Sequence, residues 1–128
     1  MIALGCDHGG YELKEAIKKY LDKQGVAYKD FGTNSIESVD YPEYAEAVAN
    51  SVASKEAEKG ILVCGTGVGM SIAANKVPGI RAALISDCFS AKATREHNDS
   101  NILCLGGRVL GENLALMIVE IWLNTAYI

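Results

Sequence analysis

The sequence predicts an α/β domain built on a five-stranded parallel sheet with helices on both faces. Two observations carry that expectation. Five short apolar runs alternate with segments whose apolar residues recur at helical spacing, a pattern that implies a parallel sheet covered on both sides. The residues able to do chemistry also collect where those runs end: Asp7-His8, Cys64-Gly65-Thr66, Asp87 and Arg108. Ligands of open α/β sheets bind at the carboxyl ends of the strands, near the point where strand order reverses.

Taken in order, Ile2 to Cys6 is the first strand, followed by Asp7-His8-Gly9-Gly10. Leu13, Ile17, Tyr20 and Leu21 then line one face of a helix, with Glu12, Lys14, Glu15, Lys18 and Lys19 on the other, and Gly25 stops it. Val26 to Phe31 is a second, more polar strand, and Ile36 to Pro42 a loop. Pro42 is tolerated in the first turn of the next helix, whose apolar stripe is Tyr44, Ala45, Val48, Ala49 and Val52. After a charged connector from Ser54 to Gly60, Ile61-Leu62-Val63 forms a buried strand and Gly65 to Gly69 a glycine-rich turn that opens a helix of small residues. Lys76 to Gly79 breaks that helix, and Ile80 to Ile85 is the fourth strand. Ser86-Asp87 offers an N-cap for a helix to about His97, and Asn98 to Asn101 is a turn. Ile102 to Leu105 is the fifth strand, and Leu114 to Leu123 an apolar helix carrying Trp122.

The whole chain, 1–128, is expected to form one domain. A net charge of -4 leaves no basic excess for a dedicated nucleic-acid binder. No apolar run is long enough to span a bilayer, and the start lacks the basic region of a signal peptide, so a cytoplasmic location is expected. The four cysteines are well separated and expected to be free thiols.

The chemistry centres on Cys64. A thiol near a helix N-terminus is pushed toward thiolate, and a thiolate serves as a general base or as a nucleophile. The N–H groups of the following turn are suited to hold an oxyanion created beside it. That combination takes a proton from a carbon next to a carbonyl and stabilises the enediolate. Two histidines, His8 beside Asp7 and His97 beside Asn98, suit proton transfer near neutral pH. Arg108 is either a phosphate ligand or a surface arginine. Arg81 and Arg95 are expected to be structural or solvated.

Two competing readings come from the same residues. The glycine turn fits the first half of a dinucleotide fingerprint at Gly65 and Gly67, but its third glycine falls at Gly69, one residue early, where the pattern requires position 70. Asp87 lies where a ribose-binding acid would be expected, which keeps a non-catalytic nucleotide or sugar-phosphate binding module in view. A metal site from Cys6, His8, Cys64 and His97 has no close-spaced ligand pair to support it.

Together, Gly5-Cys6-Asp7-His8-Gly9-Gly10, Asp40-Tyr41-Pro42, the run from Cys64 to Lys76, Gly79-Ile80-Arg81-Ala82 and Arg95-Glu96-His97-Asn98-Asp99 resemble type B ribose-5-phosphate isomerase, over essentially the whole chain. The wider family includes galactose-6-phosphate isomerase subunits and allose-6-phosphate isomerases. The resemblance implies a three-layer, flavodoxin-like (Rossmann-like) α/β/α fold, a homodimer or tetramer with sites shared between subunits, and neither metal nor organic cofactor. It implies that His97 opens the sugar ring with Asp7 and Thr66 assisting, and that Cys64 moves a proton between C2 and C1. Amides from Gly65 through Gly67, Val68, Gly69 and Ser71, with Asn98, would hold the enediolate oxygen. His8 and Arg108 would reach the phosphate, and Tyr41 would line the pocket. The substrate implied is ribose 5-phosphate, with a hexose 6-phosphate as the alternative. Family members usually continue into a further helix with phosphate-binding arginines, a segment not seen here after Ile128.

Overall fold

The computed structural model describes residues Met1–Ile128 and contains the expected sheet and helices. Its elements are β1 (Ile2–Cys6), α1 (Tyr11–Gln24), β2 (Tyr28–Asp30), α2 (Tyr41–Ala53), β3 (Lys59–Cys64), α3 (Val68–Ala74), β4 (Ala82–Leu84), α4 (Cys88–Asn98), β5 (Ile102–Gly106) and α5 (Glu112–Leu123). A short 3-10 turn, His8–Gly10, links β1 to α1. No helix is long and apolar enough to cross a membrane.

All strand pairs are parallel, in the order β2-β1-β3-β5-β4. Alternating side chains divide between two cores. Ile2, Leu4, Cys6, Ile61, Val63, Leu103 and Leu105 point toward α1 and α5, where Trp122 is fully buried. Ala3, Leu62, Cys64, Ile102 and Cys104 point toward α2 and α3, against Val48, Val52, Met70 and Ala74. The two terminal thiols of β1 and β3, Cys6 and Cys64, therefore face opposite layers.

The strand order departs from the flavodoxin order 2-1-3-4-5 by exchanging the last two strands. The exchange matters for the site. With β5 rather than β4 beside β3, the Gly106–Arg108 turn is delivered next to Cys64, and Asp87 is carried one strand further out. Order reverses between β1 and β3, so the cleft expected at such a switch point opens between the Asp7–Gly10 turn and the Gly65–Gly67 turn.

The predicted elements hold, with shifted ends. The second strand is shorter than Val26–Phe31: Tyr28, Lys29 and Asp30 pair in register with β1, and Ala27 and Phe31 add one backbone hydrogen bond each at its ends. The fourth is Ala82–Leu84, an edge strand whose Ala82 N–H and C=O are both taken by the side chain of Asn75, at 2.8 and 2.9 Å. Asp87 does cap α4, its carboxylate accepting from the Ser90 N–H at 2.7 Å.

Lys14 is not on a solvated face. It is 1% exposed, and its Nζ donates to Asp30 Oδ1 at 2.8 Å and to the Thr33 carbonyl. Burial raises the Asp30 pKa, but hydrogen bonds from Lys14, the Gly32 N–H and Lys18 outweigh it and hold the carboxyl below its usual value. This pair ties α1 to the segment leading from β2 toward α2. Burial pushes the nearby Cys6 thiol up to about 11, with Lys14 partly offsetting it, so Cys6 is a protonated core group.

Candidate active site

Three strand-end turns meet without room for side chains between them. The Gly107 N–H donates to the Cys64 carbonyl at 2.8 Å, the Arg108 N–H to the Gly65 carbonyl at 2.9 Å, and the Asp7 N–H to the Val63 carbonyl at 3.2 Å. A Cβ on Gly9 would lie 3.0 Å from the Gly65 nitrogen. Glycine at these contacts lets the loops after β1, β3 and β5 touch and form one surface.

Cys64 is 5% exposed at the end of β3. Its Sγ accepts a hydrogen bond from the Gly67 N–H at 3.1 Å. Gly67 turns back to the sulfur because its φ is +82°, a left-handed conformation that side chains disfavour. One amide of the turn is thus committed to sulfur, and the Val68 N–H to Thr66 Oγ1 at 3.2 Å. The Ser71 hydroxyl donates to the Val68 carbonyl at 2.7 Å. Gly69 and Met70, in the first turn of α3, have no carbonyl inside the helix for their N–H groups. The Tyr41 ring lies against this turn, its Cε1 and Cζ 2.9 Å from where a Gly69 Cβ would stand.

On the other side of the turn lies a cleft of about 290 Å³, lined by His8, Gly9, Glu12, Leu13, Ile36, Gly107 and Arg108. The Arg108 side chain is exposed and passes over Gly9 and Gly65, its Nη1 3.4 Å from a Cβ position on Gly65. His8 Nδ1 accepts from the Val39 N–H at 3.3 Å, which assigns the neutral ring's proton to Nε2. Asp7 is 9% exposed and spends one oxygen on the Gly9 N–H at 2.9 Å, capping the turn that carries His8. Glu12 and Ile36 were not singled out from the sequence. Only the meeting of α1's first turn with the 31–40 segment brings them in.

The predicted residues divide into two groups. Asp7, His8, Tyr41, Cys64 to Ser71 and Arg108 share the carboxyl end of the sheet. His97 and Asn98 do not join them within the chain. Helix α4 begins at that end and runs back about 15 Å, so its exposed last turn, with both residues, lies at the strands' amino end. Asp87 is spent on capping α4, away from the glycine turn, which leaves the dinucleotide fingerprint without its acid. No group of three or more His, Cys, Asp and Glu side chains is arranged to hold a metal ion.

This fold and site define an isomerase of sugars: the chain belongs to the Ribose/Galactose Isomerase family, whose model matches residues 2–128. Among its relatives is Ribose-5-phosphate isomerase B of Escherichia coli (strain K12), 54% identical over 126 residues that cover 98% of this chain and 85% of that protein. The solved Ribose-5-Phosphate Isomerase B of Clostridium thermocellum superposes with a TM-score of 0.97 at 55% identity, covering 98% of this chain and 85% of that one. A ribose 5-phosphate isomerase of Thermotoga maritima gives a TM-score of 0.97 at 52% identity, over 98% of this chain and 87% of that one.

Proposed function

We propose that this chain is a single-domain aldose–ketose isomerase interconverting ribose 5-phosphate and ribulose 5-phosphate, without a cofactor, in the cytoplasm. The observation that carries the reading is the Cys64 sulfur, held by the Gly67 N–H at the floor of a turn whose neighbours are Arg108 and His8. The close relatives named for this activity support it.

The reaction divides along the two groups of residues. His97 gives a proton to the ring oxygen of the furanose while the anomeric hydroxyl loses its own, with Thr66 and Asp7 assisting; the C1–O4 bond breaks and an aldehyde results. The Cys64 thiolate then removes the proton from C2, and the charge passes to the oxygen on C1. The Gly65 and Gly69 amides, with Asn98, hold that enediolate oxygen, because the Gly67, Val68 and Ser71 N–H groups expected to join them are taken by Cys64 Sγ, Thr66 Oγ1 and the Gly67 carbonyl. Returning the proton to C1, with the hydroxyl proton moving from O2 to O1, gives the ketose. Arg108 and the Nε2–H of His8 bind the phosphate at the far end, and Tyr41 closes the wall beside Gly69.

Because His97 and Asn98 lie at the opposite end of the sheet from Cys64, the reading requires a second copy. In a homodimer, the last turn of α4 from one copy completes the glycine turn of the other. A hexose 6-phosphate is the alternative substrate, favoured only by the family's inclusion of galactose isomerases. Comparing kcat/KM on ribose 5-phosphate, allose 6-phosphate and galactose 6-phosphate tests the assignment. The pentose is expected to lead; a hexose turned over faster replaces it, and tight nucleotide binding without turnover of any sugar overturns the enzyme reading.

A further inference from the structure

The last turn of α4 is held from inside by a side chain the mechanism does not use. After His97 and Asn98 the chain enters a left-handed turn at Asp99, with φ 49° and ψ 46°. Glycine is the usual residue there, because a side chain is disfavoured in that conformation. Arg95, only 7% exposed, stabilises it. Its Nη1 donates to Asp99 Oδ1 at 2.9 Å and to the Ser100 carbonyl at 2.7 Å, while its Nε donates to the Thr125 carbonyl at 3.1 Å. Behind this, the Trp122 indole N–H donates to Ser100 Oγ at 3.0 Å, and Arg81 Nη1 reaches the Asn98 carbonyl at 3.3 Å.

A buried guanidinium is an expensive way to end a helix. Its charge must be taken out of water, and an apolar side chain packs at no such cost. What the planar fork adds is direction: it fixes the angle between the helix end and the turn through acceptors on two separate segments. Every acceptor lies on residues 99–100 or on the tail at Thr125, immediately behind the exposed His97.

We propose that Arg95 is a positioning residue for His97, setting the direction in which the imidazole is presented to the site of the neighbouring copy. The inference rests on the ring-opening role of His97 given above. Ring opening matters only for an aldose that is closed. Ribulose 5-phosphate carries phosphate on its C5 oxygen, has no hydroxyl able to close a five-membered ring on C2, and is already open. Its C1 proton therefore exchanges with solvent through Cys64 and the enediolate before any ring step. A misdirected His97 slows isomerisation, in both directions alike because the equilibrium constant ties them, far more than it slows this exchange.

The test measures isomerisation of ribose 5-phosphate and solvent-deuterium exchange at C1 of ribulose 5-phosphate for Arg95→Lys, Asp99→Asn and His97→Asn in the full chain, with thermal melts to count folded protein. Arg95→Lys keeps the charge and loses the fork; it is expected to lower kcat for isomerisation by about 10- to 100-fold with KM within about twofold. Its exchange rate should stay within about threefold. Asp99→Asn tolerates the left-handed turn while removing one Arg95 contact, and should show the same pattern at smaller size; it carries the test if Arg95→Lys fails to fold. Equal losses of isomerisation and exchange, or no loss per folded molecule, overturn the proposal. If His97→Asn separates the two rates and the Arg95 and Asp99 variants do not, positioning fails and ring opening stands. If His97→Asn itself lowers both rates equally, ring opening fails and takes the positioning role with it.

Discussion

Replacing Gly67 with alanine separates the two things the glycine provides, backbone freedom and space. Its φ of +82° costs a residue with a side chain about 1–2 kcal/mol. The added Cβ would also stand 2.5 Å from Leu84 Cδ1, 3.0 Å from the Leu105 carbonyl carbon and 3.1 Å from its oxygen. The leucine can turn away, but the β5 backbone cannot, and overpacking of this kind costs about 1–3 kcal/mol more. Gly79 supplies the control: its φ is +89°, yet nothing lies within 4 Å of its Cβ position, so Gly79→Ala carries the backbone cost alone. Thermal denaturation should place Gly67→Ala about 2–5 kcal/mol below the parent and Gly79→Ala about 1–2 kcal/mol below. Because the Gly67 N–H holds the Cys64 sulfur, kcat should fall at least tenfold in Gly67→Ala and stay unchanged in Gly79→Ala. Equal stability of the two variants would refute the packing argument, and full activity in Gly67→Ala would refute the link between turn and thiol.

Three further outcomes follow from the geometry. Asp30 has a folded pKa below its unfolded value, so its contribution is present above about pH 4 and lost as pH falls through the folded value; Asp30→Asn should melt earlier at pH 7 by the equivalent of about 1–3 kcal/mol, with the gap closing in acid. Glu12 shares the His8–Arg108 cleft and repels a phosphate there, so Glu12→Gln should lower KM severalfold with kcat unchanged in steady-state assays. Mixing inactive Cys64→Ala and His97→Asn chains under exchange conditions should restore about a quarter of parent activity, because half the dimers are mixed and each has one intact site; recovery of none would place both residues in one chain's site.

Most of the fold was legible because it is written in periodicity. The alternation Ile2, Leu4, Cys6 against Ala3, and the stripe Leu13, Ile17, Leu21, each commit a surface to burial. Strand order is not periodic information, and the exchange of β4 and β5 at the edge decides that Arg108, rather than Asp87, neighbours Cys64. The glycine turn was legible for a different reason, since Gly65, Gly67 and Gly69 are costly residues a plain connection does not use. Lys14, a cation in a helix, is expected on the solvated face, whereas Arg95 is expected to be structural or solvated; both are buried, Lys14 by Asp30 and the Thr33 carbonyl, and Arg95 by Asp99, the Ser100 carbonyl and the distant Thr125 carbonyl. The position of His97 was open for a geometric reason. Its place in the last turn of α4 fixes it at the strands' amino end, and only a second copy turns that into a role.

The central claim is that Cys64 moves the proton between C2 and C1. The direct measurement is turnover of ribose 5-phosphate deuterated at C2 by the parent and by Cys64→Ala, following deuterium loss to solvent alongside ketose formation. The parent should show both, with a primary isotope effect wherever proton removal limits the rate. Cys64→Ala, folded by its melting curve, should lose deuterium exchange and isomerisation together, each by at least about a thousandfold. Exchange that survives in Cys64→Ala at the parent's rate would contradict the assignment and hand the proton to another base.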